Sequence, residues 1–136
     1  MTPAFTPLMT LEVLVGAAGQ VDGAAHGRRF IPVGGGTVGG GLEGVVLPGG
    51  GDWQTVWPDG RMDIAAHYVL EIDGQGTVEV RSDGVRHGPP AVLAALARGE
   101  IVDPASYYFR TAVRLRTAAP GLSRLNALLA VATGER

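Results

Sequence analysis

Apolar and polar residues alternate along most of this chain, and turn-forming residues cut the alternation into short segments. That pattern predicts antiparallel strands far more than helices. Leu8–Val15 puts Thr10 and Glu12 on one face and predicts a strand. Arg28–Val33 predicts a second, with Arg29, Ile31 and Val33 sharing a face. Leu42–Leu47 predicts a third, stopped by Pro48-Gly49-Gly50-Gly51. Trp57-Pro58-Asp59-Gly60 then predicts a hairpin turn: proline presets φ, aspartate bonds forward to the backbone, and glycine accepts a positive φ.

Arg61–Ile72 is the longest predicted strand. Ile64, Ala66, Tyr68, Leu70 and Ile72 lie on one face, and Ala65, His67, Val69 and Glu71 on the other. Asp73-Gly74-Gln75-Gly76 predicts a second tight turn, with Thr77–Arg81 as the returning strand. The period then changes. Pro90–Arg98 is rich in Ala and Leu, opens on proline and is followed by Gly99, which predicts a short helix. Tyr107–Thr117 and Leu125–Thr133 predict the last two strands, although Leu125, Leu128 and Leu129 also fit a helical period. About seven strands at hairpin spacing and one short helix predict a single mainly β domain spanning residues 1–136, an antiparallel barrel or sandwich, with a small closed barrel as the leading expectation.

Composition narrows the possible functions. The chain has 136 residues, 46% hydrophobic and 18% charged, enough for one packed core. Its net charge is −2 with no basic stripe, so a nucleic-acid partner is not expected. It has no cysteine, which excludes disulfides, a thiolate nucleophile and cysteine-ligated zinc. Residues 1–14 lack a basic signal-peptide start, and no apolar run is long enough to span a membrane. A cytoplasmic protein with no membrane partner is therefore expected. The 22 glycines are clustered between apolar runs, as in β domains punctuated by turns and bulges.

Candidate chemistry is sparse. Gly34-x-Gly36-x-x-Gly39 matches the dinucleotide fingerprint in spacing, but it runs into Leu42–Leu47, a strand and not a helix, so a glycine bulge is the better reading. His26, His67 and His87 have no metal-type spacing, and neither a metal nor an organic cofactor is expected. His26 and His87 sit beside glycines and read as solvated loop residues. His67 lies mid-strand, where it is either a hydrogen-bonded structural residue or an inward proton-transfer group. Serine occurs only at Ser82, Ser106 and Ser123, and no nucleophile elbow is present. Asp52 follows a flexible turn and reads as a loop cap or a general acid/base, beside Trp53 as a core or stacking residue. Tyr108 and Arg110 share a face that continues as Ala112, Arg114 and Arg116. Facing inward they would offer a phenol and a cation to a ligand; the composition of the face argues for solvent.

Several blocks occur in a telling order: Gly27-x-Arg29, the two glycine triplets, Leu47-Pro48-Gly49-Gly50-Gly51-Asp52-Trp53, Asp59-Gly60, His67-Tyr68, Tyr108-Phe109-Arg110-Thr111 and Leu125-Asn126. In these the chain resembles the bacterial DUF3237 family, also called UPF0311, over nearly its whole length. The resemblance implies a β-barrel, broadly lipocalin-like or allene-oxide-cyclase-like, with no assigned activity. The chain departs from the family pattern at Ala65 and His67, in place of an Asp/Arg pair, at Leu115-Arg116, where a Glu is usual, and at Arg124, where Trp is usual. It also ends before a final strand seen in many members, so a neighbouring subunit in a homodimer is a candidate to supply that edge. The leading functional expectation is cofactor-independent acid/base chemistry of cyclase, isomerase or lyase type on a carbonyl-bearing metabolite. His67, Asp52 and Tyr108 are the candidate catalytic residues, and Arg29, Trp53 and Arg110 the candidate substrate-binding residues. The rivals are a non-catalytic binder of a hydrophobic small molecule and a structural or oligomer-forming domain.

Overall fold

The computed structural model describes residues 1–21 and 27–136. The expectation for His26 lies outside the described residues. Among them are nine strands in one antiparallel sheet: β1 (Thr10–Val15), β2 (Gly19–Gln20), β3 (Arg28–Gly39), β4 (Gly44–Val46), β5 (Gly51–Val56), β6 (Met62–Ile72), β7 (Gly76–His87), β8 (Tyr108–Arg116) and β9 (Leu129–Thr133). The strand order is β1-β3-β4-β6-β7-β8-β9, with β5 filling the space between β3 and β6 beyond the short β4, and β2 on the end of β3. One α-helix, α1 (Pro90–Ala97), joins β7 to β8, and 3-10 turns occupy Pro104–Ser106 and Pro120–Ala127.

The predicted turns are realised by the residues that predicted them. Gly60 takes φ 89° in the β5–β6 turn, where its N–H donates to the Trp57 carbonyl. Gly74 takes φ 69° in the β6–β7 turn. The glycine triplet Gly34-Gly35-Gly36 lies inside β3 and not beyond it. There the β1–β3 register slips, Leu14 facing Gly35 and Val15 facing Val33, so Gly34 is the extra residue of a bulge. The dinucleotide alternative is thereby removed, since no helix follows. Two predicted boundaries change. β7 runs on from Arg81 to His87 beside the full length of β6, and Leu125–Thr133 divides into the end of a 3-10 turn and β9.

The sheet curls so that its two ends face one core. Val33, Val38, Val46, Leu70, Ile72, Val78, Val80 and Leu115 from five strands meet Leu122 and Leu125 of the second 3-10 turn. Leu11 and Val13 of β1 and Val113 of β8 pack against the same cluster from opposite ends of the strand order. Among the described residues no ladder joins β1 to β9, so side-chain packing, not a hydrogen-bonded seam, brings the ends together. Among the described residues no helix is long and apolar enough to cross a membrane.

Candidate functional site

The alternation that buries Leu70 and Ile72 on β6 assigns every side chain of the sheet to the concave or the outer face. At one end of the sheet the concave positions are apolar. At the other end they are polar, and the ladder lines them up in rows. One row runs Arg29, Gln54, Ile64, Gly84, Thr111 across β3, β5, β6, β7 and β8. The next runs Ile31, Asp52, Ala66, Ser82, Val113, and the outermost runs Val56, Met62, Arg86, Phe109. Gln54, Ser82, Arg86 and Thr111 are all buried.

Asp52 is the centre of the polar network. One oxygen accepts from Gln54 Nε2 at 2.6 Å and the other from the Ala65 backbone N–H at 3.2 Å. Gln54 in turn accepts from Arg29 Nε at 2.8 Å, so the amide bridges carboxylate and guanidinium. Burial pushes the Asp52 carboxyl above its ordinary value of 3.8, against the hydrogen bonds from Gln54 and Ala65 and the positive charge of Arg29 and Arg86. Tyr68, inward on β6, has its phenol pushed up to about 12 by burial and by the neighbouring Asp52 charge. It is therefore a neutral hydroxyl at neutral pH.

The two arginines open onto a pocket of about 420 Å³ beneath α1. Arg29, Arg86 and Arg136 line it together with Val56, Met62, Leu93 and Leu96. The Arg136 backbone N–H donates to the Tyr107 hydroxyl at 2.9 Å, which holds that residue at the pocket. Burial lowers the pKa of Arg29 and of Arg86, and the positive charge of Arg136 lowers both further. Arg86 is only 7% exposed, and its Nε is buried without a hydrogen-bond partner. An unmet N–H of a charged group costs at least about 1–3 kcal/mol.

The sequence-based candidates divide cleanly between the faces. Asp52 and Arg29 meet on the concave side. His67 does not: it lies on the outer face, half exposed, with Nε2 2.8 Å from Glu79 Oε2. The inward imidazole considered above is therefore corrected, because His67 has the parity opposite to Tyr68 and Leu70. Tyr108 and Arg110 are likewise outward. Tyr108 stacks on His87 at 4.9 Å, and the Arg110 guanidinium lies 5.2 Å over its ring. Trp53 is 43% exposed on the outer face against Phe30, with Arg28 at 5.3 Å. His87 ends a strand and does not sit in a loop. An exposed pair such as His67–Glu79 is worth at most about 1 kcal/mol, so His67→Ala should shift the midpoint of chemical unfolding only by that amount. A loss of several kcal/mol in urea titration would show a structural role the exposed geometry does not provide.

Gln54, Arg86 and Arg136 were not singled out from the sequence. The signal for Arg86 was available: it has the parity of Val78 and Val80, which a β7 extended to His87 makes plain.

The comparisons bear on the same rows. The family profile described as "Protein of unknown function (DUF3237)" matches residues 3–136. A UPF0311 protein of Rhodopseudomonas palustris is 37% identical, aligned over 100% of this chain and 92% of its own. The chain belongs to the DUF3237 family. Its crystal structures include that Rhodopseudomonas palustris protein of unknown function, which this chain matches at TM-score 0.90 and 37% identity over 100% of this chain and 91% of the other. A protein of unknown function from Clostridium acetobutylicum matches at TM-score 0.80 and 32% identity, covering 95% and 89%. A structure described as a beta-barrel like protein from Acinetobacter baumannii matches at TM-score 0.74 and 34% identity, covering 98% and 92%. Within this DUF3237 chain, Ala65, His67 and Arg116 are all on the outer face, so these departures from the family pattern leave the concave polar rows untouched.

Proposed function

We propose that this DUF3237 protein is a barrel-like small-molecule protein whose polar concave end carries out cofactor-independent proton transfer on a carbonyl compound. One observation carries the reading. A buried carboxyl with a raised pKa, Asp52, shares its rows with Arg29 and Arg86, whose charges are not spent on any carboxylate within 4.0 Å among the described residues. A carboxylate whose pKa is raised is a stronger base than an exposed one, and fixed guanidiniums stabilise negative charge forming on an adjacent oxygen. In the step this permits, Asp52 takes a proton from the carbon next to the carbonyl. The electron pair moves to the carbonyl oxygen, which Arg29 and Arg86 neutralise, and the proton returns to carbon at the same or another position. Tyr68, a neutral hydroxyl, is placed to donate a hydrogen bond at that end. His67, Tyr108, Arg110 and Trp53 have no part in it.

The reading is tested by carbon-13 NMR titration of the aspartate carboxyls, with the Asp52 resonance identified by its disappearance in Asp52→Asn. The expected midpoint lies above 3.8, and 2-oxohexanoate, a carbonyl probe with an apolar chain, shifts it. A midpoint at or below 3.8 would remove Asp52 as the proton-transfer group. Linkage gives the sign of a companion measurement. A carboxyl with a raised folded-state pKa adds stability below its unfolded pKa, and that stability is lost as pH rises through the folded value. Asp52→Asn should therefore gain on wild type between those two values and keep that relative gain at neutral pH, as read by melting temperature.

A further inference from the structure

The pocket under α1 has a chemistry more specific than that of a generic small-molecule site. Three guanidiniums, Arg29, Arg86 and Arg136, line it, and the apolar side chains Val56, Met62, Leu93 and Leu96 line it with them. Asp59 is also at its edge, but Oδ1 of that carboxylate already accepts from the Arg61 backbone N–H. Asp52, the acid nearest the arginines, is bonded to Gln54 and Ala65 and to neither Arg86 nor Arg136. The ion pairs among the described residues are Arg61–Asp63, His67–Glu79 and Arg98–Glu100, none of which engages these three arginines. Arg29 is oriented by Gln54, with its Nη2 3.8 Å from Met62 Sδ. Arg86 is buried beyond nine-tenths, lines the pocket, and carries a buried Nε with no acceptor.

Proteins almost always pair a buried guanidinium, because the desolvated charge is otherwise costly. Here the protein supplies Arg86 with no anion, and the two other arginines at the pocket repel it. An acceptor-only group with two oxygens, entering from the pocket, would answer both the orphaned Nε and the excess positive charge. The apolar remainder of the wall is unsuited to a small hydrated anion and suited to a hydrocarbon body. A volume of about 420 Å³ is at the small end of pockets that enclose metabolite-sized ligands.

We infer that this pocket binds the carboxylate of an amphipathic organic acid, with Arg86 as its principal donor, Arg29 and Arg136 flanking it, and the acid's apolar chain against Leu93, Leu96 and Met62. The inference rests on the preceding reading that this end of the sheet is the small-molecule site, and it names the class of molecule that site takes. A ligand so held would present the atoms beyond its carboxylate towards the Asp52 end of the pocket.

The test is isothermal titration calorimetry of the purified protein with hexanoate, hexanol and inorganic phosphate. Hexanoate should bind saturably and at least about tenfold more tightly than either of the others, since the first lacks nothing and each of the others lacks one half of the recognition. Arg86→Met should abolish hexanoate binding while raising the melting temperature of the unliganded protein, because it replaces an unpaired buried charge with an apolar chain of similar length. A merely structural Arg86 would give the opposite sign of stability change. Arg136→Ala, at an exposed position, should weaken hexanoate several-fold without affecting folding. Hexanol binding as tightly as hexanoate, phosphate binding as tightly, or an affinity unmoved by both substitutions would overturn the inference. Hexanoate has no ketone and reports on the arginines alone. A protein that binds it but moves no proton on 2-oxohexanoate keeps this site and loses the acid/base role; one that moves the proton without binding hexanoate does the reverse.

Discussion

Leu70→Ala should lower the melting temperature of this protein by roughly 10 °C or more, the largest stability loss expected of any single truncation in the sheet. Leu70 is 0% exposed and is the middle of the β4–β6–β7 ladder, facing Val46 on one side and Val78 on the other. Both neighbours are themselves buried in the shared core, so the space left by the lost carbons cannot be refilled by a side chain swinging in from solvent. Buried leucine truncations of this kind cost about 2–5 kcal/mol, combining lost transfer energy with the residual cavity. Val45→Ala is the matched control. It is on the same ladder one residue away, points outward and is 45% exposed, and should cost under about 1 kcal/mol. Differential scanning calorimetry separates the two. Equal effects at Leu70 and Val45 would mean that the faces are assigned the wrong way round.

That assignment of faces was largely legible in the sequence. The alternation of Ile64, Ala66, Tyr68, Leu70 and Ile72 fixed β6, and Pro58, Asp59 and Gly60 fixed the turn before it, because strand period and turn chemistry are local properties. The helix was legible for the same reason: Pro90 starts it and Gly99, at φ 79°, follows it. β7 was cut short at Arg81 because Ser82, Asp83 and Gly84 read as a turn. The structure pairs them with Ala66, Ala65 and Ile64, so the ladder with β6 outweighs their low strand preference. Truncating β7 hid Arg86, and with it the pocket.

The candidate site was half legible. Asp52 and Arg29 were identified, but their partnership through Gln54 is non-local, set by the β3–β5 register. His67 misled because a lone histidine on a strand carries no sign of which face it occupies except its parity. That parity places it with Glu71 and Val69, opposite the five core positions of β6. Tyr108 and Arg110 were open to the same correction, since Arg114 and Arg116 on their face already argued for solvent.

The acid/base role is the claim on which the functional account turns, and its expected effect is the largest on activity. In D2O at neutral pH the protein should exchange the C3 protons of 2-oxohexanoate for deuterium faster than buffer does, as followed by proton NMR. Asp52→Asn should reduce the enzymatic rate by about 10²-fold or more, the usual size of a positioned general-base contribution. Asparagine retains the shape of the side chain and can still bond Gln54, so the loss would reflect proton transfer and not collapse of the site; an unchanged unfolding profile checks this. His67→Ala, on the outer face, should leave the rate unchanged within error. Faster exchange that vanishes in Asp52→Asn and persists in His67→Ala is the expected result. Exchange no faster than buffer, or exchange that survives Asp52→Asn at the wild-type rate, would contradict the role assigned to Asp52.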